Sequence, residues 1–281
     1  MSQSVTETAL TALTDWWDEM DVDVDQGAVS ALLKVSTPNE TVPLPVAKGP
    51  ISGSGNALPG LVPVMRKGKK SVADWVKEAE SLAAGAQTLD ALKAAIESFE
   101  GCPLKAGANK TVVFDGTQGA SVMVVGEGAG GTEDRVGLPF VGKAGQLLDK
   151  MLAAIELDRK TNTFITNVTY WRPPGNRNPE ADELAVCRPF VDRMIELNKP
   201  KLIIAAGGVS AKSLLRTKVG IMKLRGAWVD YTTPGGYSCP IMPTFHPAYL
   251  LRRSQDKSRA WRDLLEIQAR LAELTASNPP D

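Results

Sequence analysis

Four short runs of β-branched and other apolar residues recur in the second half of the chain, and each predicts a buried strand. The runs lie at residues 122–125, 164–166, 202–205 and 241–244. Apolar residues with helical spacing predict amphipathic helices near 144–155, 180–198, 209–216 and 257–274. Strands that alternate with helices are typical of a parallel sheet covered by helices on both faces, so we predict an α/β fold.

The first seventy residues have a different pattern. Residues 4–34 have helical spacing with leucines and tryptophans in one stripe, which indicates a docking face. The segment 37–70 contains six prolines and five glycines and is read as a linker or an irregular wrapping. Two helices are predicted after it, at about 71–85 and 89–99, the second capped by Thr88. We therefore divide the chain into an acidic helical segment 1–36, a Pro/Gly-rich linker 37–70 and a domain 71–281.

Charge and cysteine content narrow the class of protein. The formal net charge is zero, but residues 1–40 hold eight acids and one base, which leaves the remainder mildly basic and permits a nucleic-acid partner. The basic run 66–70 fits either a solvated turn or a DNA contact. Three irregularly spaced cysteines argue against a secreted disulfide framework. With no membrane-length apolar run and no signal sequence, we expect a cytoplasmic protein.

The unusual residues follow the predicted strands. A glycine-rich segment that includes Glu127 follows the first strand, Asn167 follows the second, Gly207 and Gly208 follow the third, and His246, the only histidine, follows the fourth. In open parallel sheets the ligand crevice lies beyond the carboxyl ends of the strands. A carboxylate, an amide and an imidazole are therefore predicted to meet at one edge of the sheet.

Gly126, Gly128 and Gly131 also satisfy the G-x-G-x-x-G pattern of dinucleotide-binding proteins. That site requires a helix to begin at this point. The following residues 132–140 contain an acid pair, a glycine and a proline, so we predict no helix there and treat the match as accidental.

Several longer motifs resemble the uracil-DNA glycosylase superfamily, and most closely its family 4. They cover roughly residues 99–265 in the family's order and comprise 126–130 with Glu133 and Asp134, then 137–149, 165–168, 172–177, 224–226 and 246–252. The resemblance implies a three-layer α/β/α sandwich around a central parallel sheet. It also implies a monomeric DNA-repair enzyme that cleaves the N-glycosidic bond of uracil in DNA, after rotating the nucleotide out of the base stack.

The resemblance assigns roles to the strand-end residues. Phe140 is expected to stack on the extruded uracil, with simple core packing as the alternative. The Asn167 amide would read the Watson–Crick edge of uracil, and His246 would stabilise negative charge on the departing base. Gly126, Gly128 and Gly130 would let backbone amides approach the base and the phosphate.

Glu127 and Glu133 are the two candidates for positioning water or favouring the cationic sugar. In the best-known branch of the superfamily an aspartate orients the attacking water, and this chain has Gly128 at that position, so a dissociative mechanism is expected. Some relatives place a tyrosine against the uracil 5-position. Gly130 stands there in this chain, which puts rejection of thymine in doubt.

Contacts to DNA are also carried over by the resemblance. Leu250 resembles the wedge that fills the hole left by the extruded base. The candidate phosphate contacts are Arg172, Arg177, Arg252, Arg253 and Lys257, each of which could equally be a solvated surface charge.

Family 4 enzymes usually hold an iron–sulfur cluster on four cysteines. Cys102 and Cys187 match two of those positions, whereas Phe99 and Trp171 occupy the other two. Cys239 lies outside the pattern. We therefore predict no cluster and no other metal, with the two aromatic rings filling the volume.

Two other classes of function remain as alternatives. A catalytically silent DNA-binding relative would share the fold, although the joint presence of Glu127, Phe140, Asn167 and His246 argues against it. A nucleotide-dependent oxidoreductase rests only on the glycine pattern at 126–131.

Overall fold

The computed structural model describes residues 70–276. The predicted acidic helical segment 1–36 and the Pro/Gly-rich linker, apart from Lys70, lie outside the described residues.

The described chain begins with two helices whose starts are fixed by side-chain caps. Helix α1 (Val72–Gly85) begins with a capping box in which Ser71 and Asp74 satisfy each other's backbone amides. Helix α2 (Leu89–Ser98) begins at the predicted cap, because the Thr88 hydroxyl accepts a hydrogen bond from the Ala91 amide. Both predicted helices are confirmed.

A six-stranded sheet forms the centre of the molecule. Its strands are β1 (Phe114–Gly116), β2 (Val122–Gly126), β3 (Thr163–Asn167), β4 (Leu202–Ala206), β5 (Val229–Thr232) and β6 (Ser238–Thr244). The spatial order is β1-β3-β2-β4-β6-β5. The four predicted strands are β3, β2, β4 and β6, and they pair in parallel. The three-layer α/β/α prediction is confirmed.

The predicted central strands are parallel, and two edge strands that were not predicted extend the sheet. Strands β1 and β5 pair antiparallel with β3 and β6, so the sheet is mixed. Both are short, and every residue of β1 is only partly buried. Strands of three and four residues are too short to give a clear periodic signal in the sequence.

Alternate residues of the central strands face two separate cores. Met123 and Val125 of β2 pack toward α1, α2 and helix α5 (Ala181–Asn198). Val122 and Val124 pack toward helix α4 (Lys143–Ala153) and helix α9 (Lys257–Ala276). Burial on both faces explains why these strands read as continuous apolar runs.

The other helices lie mainly at the carboxyl ends of the strands. They are α3 (Gly131–Val136), α6 (Gly208–Leu215), α7 (Ile221–Leu224) and α8 (Pro247–Arg252). Helix α3 corrects one prediction, because a helix does begin inside the glycine-rich segment. It has only six residues and ends where Gly137 adopts a φ of 91°. No helix within residues 70–276 is both long enough and apolar enough to cross a bilayer.

Candidate active site

A cavity of about 570 Å³ opens at the carboxyl ends of the parallel strands. The segment after β2 contributes Glu127, Gly128 and Gly130 to its wall, Gly207 follows β4, and His246 follows β6. The strand-end prediction therefore located the cavity correctly, because parallel strands bring their carboxyl ends to one edge.

His246 is held as the N-cap of α8. Its imidazole Nδ1 accepts a hydrogen bond of 3.1 Å from the Ala248 amide, and Pro247 stands at the first helical position, which favours proline. The turn after β4 approaches the histidine closely. A Cβ on Gly207, whose φ is 104°, would lie 2.9 Å from the His246 Cβ. The glycine and the helix cap together fix the direction of the ring.

His246 is neutral at physiological pH. Burial lowers its pKa to about 4, and the positive charge of Arg252 acts in the same direction, whereas Glu133 opposes it. Because Nδ1 is the hydrogen-bond acceptor, we infer that the proton of the neutral ring is on Nε2. The site therefore offers an N–H donor without a formal charge.

Phe140 lines the cavity beside His246. The two rings stack with centroids 5.5 Å apart and an interplanar angle of 28°. Phe140 has a φ of 53°, in the left-handed region that bulky residues rarely adopt. Such a conformation persists only when the surrounding structure enforces it. The contacts around Phe140 are therefore part of the site.

Asn167 and Phe140 meet across Gly126. A Cβ on Gly126 would lie 2.4 Å from both Asn167 Oδ1 and Phe140 Cζ. Any side chain at position 126 would therefore push the amide or the ring away. The aromatic ring, the amide and the imidazole thus lie in one small region. The order of the strands predicted that the amide and the imidazole meet there, and the family resemblance added the ring.

Both polar atoms of the Asn167 side chain lack a hydrogen-bond partner within the described protein, although the residue is only 1% exposed. A buried polar atom left unpaired costs about 1–3 kcal/mol. Such a group marks a place where a ligand can supply the missing partner. Asn167 does not line the open cavity itself. A ligand that reaches the amide therefore requires a local adjustment beside Phe140.

The two candidate glutamates have different environments. Glu127 lines the cavity, and burial raises its pKa. Glu133 Oε1 accepts hydrogen bonds from the Val141 and Gly142 amides, at 3.0 and 2.7 Å. Glu133 also lines the cavity, but its Oε1 anchors the start of α4, whereas neither oxygen of Glu127 is held by a protein hydrogen bond within the described residues.

The predicted phosphate contacts are unequal in exposure. Arg252 and Arg253 are exposed at the end of α8. Arg172 donates to Asn176 Oδ1, and the exposed Arg177 is bound to the Glu183 carboxylate through two hydrogen bonds. Lys257 corrects the prediction, because it is 4% exposed and is not available to a phosphate in this conformation.

Leu250 also differs from the prediction. Its side chain is completely buried and belongs to the core between the sheet, α4 and α9. The next residue, Leu251, is 48% exposed. Consecutive residues of a helix point about 100° apart, and the sequence alone does not show which leucine faces the core.

Lys212, Phe245 and Tyr249 are among the cavity residues to which sequence reasoning gave no role. Lys212 lies one turn into the helix that follows Gly207 and Gly208, so its proximity to a predicted strand end was a usable signal. Phe245 precedes His246 in the sequence and Tyr249 follows it. Their rings stack on each other with centroids 5.0 Å apart. Their position beside the lone histidine was the corresponding signal.

The region around the two matching cysteines is packed with aromatic side chains. Cys102 and Cys187 are buried free thiols, and the interaction of Cys187 with Cys102 together with burial raises the pKa of Cys187 well above its ordinary value. Phe99 packs edge-on against Phe190 at 5.2 Å. The buried Trp171 donates its indole N–H to Thr111 at 3.1 Å. Two thiols and two aromatic rings do not fit an iron–sulfur cluster that needs four thiolates.

Comparison with known proteins places this geometry in a family. The model of the uracil DNA glycosylase superfamily matches residues 114–265. A type-4 uracil-DNA glycosylase of Thermotoga maritima is 38% identical over 165 residues, which cover 58% of this chain and 83% of that protein. One of Pyrobaculum aerophilum is 36% identical over 179 residues, 63% of this chain and 91% of that protein. One of Sulfurisphaera tokodaii is 37% identical over 169 residues, 58% and 76% respectively.

The matched region includes all six strands of the sheet and the cavity at their carboxyl ends. It spans more than half of the chain, and the three relatives named above are all type-4 uracil-DNA glycosylases. The chain therefore belongs to the uracil-DNA glycosylase superfamily, and its similarities are consistent with family 4.

Proposed function

We propose that this protein is a DNA-repair glycosylase that extrudes uracil from DNA and hydrolyses its N-glycosidic bond, leaving an abasic site. The observation that carries the proposal is the buried Asn167 amide, whose two polar atoms lack partners within the described protein. Uracil presents a carbonyl beside a ring N–H on its Watson–Crick edge, and the amide complements both groups. Cytosine presents the opposite pattern, and the resulting unpaired group would cost about 1–3 kcal/mol.

His246 supports the departure of the base. As the C1′–N1 bond breaks, its electron pair moves onto uracil and negative charge spreads to the carbonyl oxygens. The Nε2–H of the neutral imidazole can donate to the second carbonyl, where part of that charge develops. Phe140 supplies the stacking surface beside it.

Glu127 is the better candidate for the step that follows. Both glutamates line the cavity, but one oxygen of Glu133 is already occupied by two backbone amides. We assign to Glu127 the orientation of water toward C1′ and the stabilisation of the sugar cation. Because Gly128 stands where a carboxylate would act as a strong general base, the C1′–N1 bond breaks before water adds to C1′. The proton that the added water releases neutralises the uracil anion.

Contacts to DNA follow from exposure. We propose the exposed Arg252 and Arg253 and the partly exposed Arg172 as phosphate contacts, because backbone charge dominates affinity for DNA, whereas the charge of Arg177 is already paired with Glu183. Leu251 replaces Leu250 as the proposed wedge, since it is the exposed leucine beside the two arginines. We expect the protein to act as a monomer in the cytoplasm.

We further propose that the protein holds no iron–sulfur cluster. The aromatic contacts of Phe99 and Trp171 support this, because the two rings are buried among other side chains where thiolates would be required. Within residues 70–276, no group of three or more histidine, cysteine, aspartate or glutamate side chains is arranged to hold a metal ion. Iron, sulfide and visible absorbance should be measured after anaerobic purification, and stoichiometric iron with sulfide would contradict the proposal.

The activity is tested with an oligonucleotide that contains one uracil. Incubation with the protein and then with alkali should cleave the strand at the uracil, and a cytosine control should stay intact. His246→Ala should lose excision by about 100-fold or more while DNA binding in a gel-shift assay changes little. Binding without excision by the parent protein would favour the catalytically silent relative. Excision by His246→Ala at the parental rate would show that the site is wrong.

A further inference from the structure

We infer that Arg159 is a positioning residue for Phe140, an inference that rests on the proposed function. Arg159 lies in the loop between α4 and β3, outside every motif that carries the family resemblance. Its guanidinium donates from Nη2 to the Phe140 carbonyl at 2.8 Å and from Nη1 to the Pro139 carbonyl at 3.3 Å. The planar fork of an arginine side chain can hold two acceptors at once.

The guanidinium is itself fixed from two sides. It binds Asp115 on strand β1 through Nη1 at 2.8 Å and Asp149 on α4 through Nε at 2.8 Å. The Arg159 backbone carbonyl also accepts a hydrogen bond of 3.2 Å from the Thr117 hydroxyl, just after β1. The Arg159 side chain is 13% exposed, so solvent competes little for these contacts. The short edge strand thereby anchors the cation that holds Phe140.

These contacts act where the backbone needs support. Phe140 has a φ of 53°, and a Cβ on Gly145 would lie 1.8 Å from the Phe140 carbonyl oxygen. Helix α4 therefore packs tightly against the same peptide that Arg159 binds. Glu133 accepts from the Val141 amide, which is the other end of the peptide whose carbonyl Arg159 binds, and from the Gly142 amide. A cation at the carbonyl and an anion at the N–H of this peptide thus hold the unfavourable backbone conformation of Phe140.

The consequence for the reaction is geometric. Without Arg159 the Phe140 peptide can relax toward a negative φ, which moves the ring away from His246 and Asn167. Misplacement of a group by about 1 Å can reduce a rate roughly 100-fold. Arg159 would thus affect excision through Phe140 without touching the base.

The test is a double-mutant cycle in the full-length protein, measured as the single-turnover rate of uracil excision from a single-stranded oligonucleotide. Arg159→Ala should lower the rate roughly 10- to 100-fold. In a Phe140→Leu background the same substitution should lower it by less than about threefold, because the ring that it positions is already absent. Arg159→Lys keeps the charge between the aspartates but lacks the fork, so we expect an intermediate loss.

Arg193 is the matched control, because it also binds a backbone carbonyl, that of Ala86, through two nitrogens and pairs with Glu196. Arg193→Ala should lower the melting temperature without lowering the excision rate of the folded protein.

Equal losses from Arg159→Ala in both backgrounds, or no loss, would overturn the inference and leave the proposed function intact. A parental rate for Phe140→Leu would instead refute the stacking role in the proposed function. If Arg159→Ala does not fold, Arg159→Lys completes the same cycle.

Discussion

A buried asparagine lies at each end of the central strands, and the two side chains differ in their hydrogen bonding. At the amino end, Asn198 accepts from the Gly119 amide at 2.8 Å and donates to the Ala120 carbonyl at 3.2 Å, just before β2 begins. At the carboxyl end, Asn167 finds no partner for either polar atom within the described protein. Both residues are almost completely buried. One end of the sheet is thus internally satisfied, whereas the other keeps hydrogen-bonding capacity for a ligand.

The aromatic region around Phe99 and Trp171 is satisfied only in part. Its rings pack on neighbouring side chains and the Trp171 indole is paired, but the buried Tyr170 hydroxyl has no hydrogen-bond partner within the described protein. The expected separation of stability from reactivity therefore rests on the contrast between Asn198 and Asn167. Substitutions in the satisfied regions should change the free energy of unfolding, and substitutions at the carboxyl end should change the rate of excision.

The largest effect that follows from this comparison concerns the two asparagines themselves. Asn167→Ala should lower the excision rate roughly 100- to 1,000-fold, because it removes a hydrogen-bonding group aimed at the base. Its free energy of unfolding should stay the same or rise by about 1 kcal/mol, since an unpaired buried group is lost. Single-turnover kinetics and chemical denaturation measure the two quantities.

Asn198→Ala is the matched control and should behave in the opposite way. It leaves the Gly119 amide and the Ala120 carbonyl without their side-chain partner, so it should destabilise the protein by about 1–3 kcal/mol. The excision rate of the folded protein should be unchanged. If Asn167→Ala destabilises as strongly as Asn198→Ala and retains excision, the contrast between the two ends of the strands is wrong.

A second effect concerns the charge state of His246. Its folded-state pKa of about 4 lies below the ordinary value of 6.5. The unfolded chain therefore takes up the proton first, and stability falls as the pH is lowered from about 6.5 towards 4. At about 1.4 kcal/mol per pKa unit, this contribution amounts to at most about 3–4 kcal/mol. It is present in full above pH 6.5 and lost near pH 4.

The titration of His246 can be measured directly, because the chain has one histidine. In tag-free protein, a single imidazole resonance in the proton NMR spectrum should titrate near pH 4. Over pH 4 to 6.5, His246→Gln should lose less stability than the parent. A resonance that titrates between pH 6 and 7 would contradict both the burial of the ring and its neutral role in the site.

Much of the fold could be predicted because the four central strands are apolar on both faces and stand between clear helical patterns. The site residues followed from the strand ends, where topology alone brings Glu127, Asn167 and His246 to one edge. Arg159 could not be predicted in this way. Its partners lie 19 residues away at Phe140 and 44 residues away at Asp115, and only the folded chain brings them together.

Burial of single side chains on a short helix was the other limit of prediction. Helix α8 has six residues, and its neighbouring leucines differ completely in exposure. Which leucine turns inward depends on how α8 packs against α4 and the sheet. Lys257 was misjudged for the same reason, since its burial depends on the packing of α9.

The smallest expected effect on excision is that of Leu251→Ala, for which Leu250→Ala is the matched control. Leu251→Ala should leave the free energy of unfolding nearly unchanged but lower excision from double-stranded DNA about tenfold. It should change excision from single-stranded DNA little, because a wedge acts only where a base pair must be opened, at a cost of a few kcal/mol. Leu250→Ala should instead destabilise the protein by about 2–5 kcal/mol and leave the ratio of the two rates unchanged. The ratio of the excision rates on double-stranded and single-stranded DNA therefore distinguishes a leucine that contacts DNA from one that only fills the core. If Leu251→Ala keeps the parental ratio, Leu251 is not a wedge in the proposed mechanism.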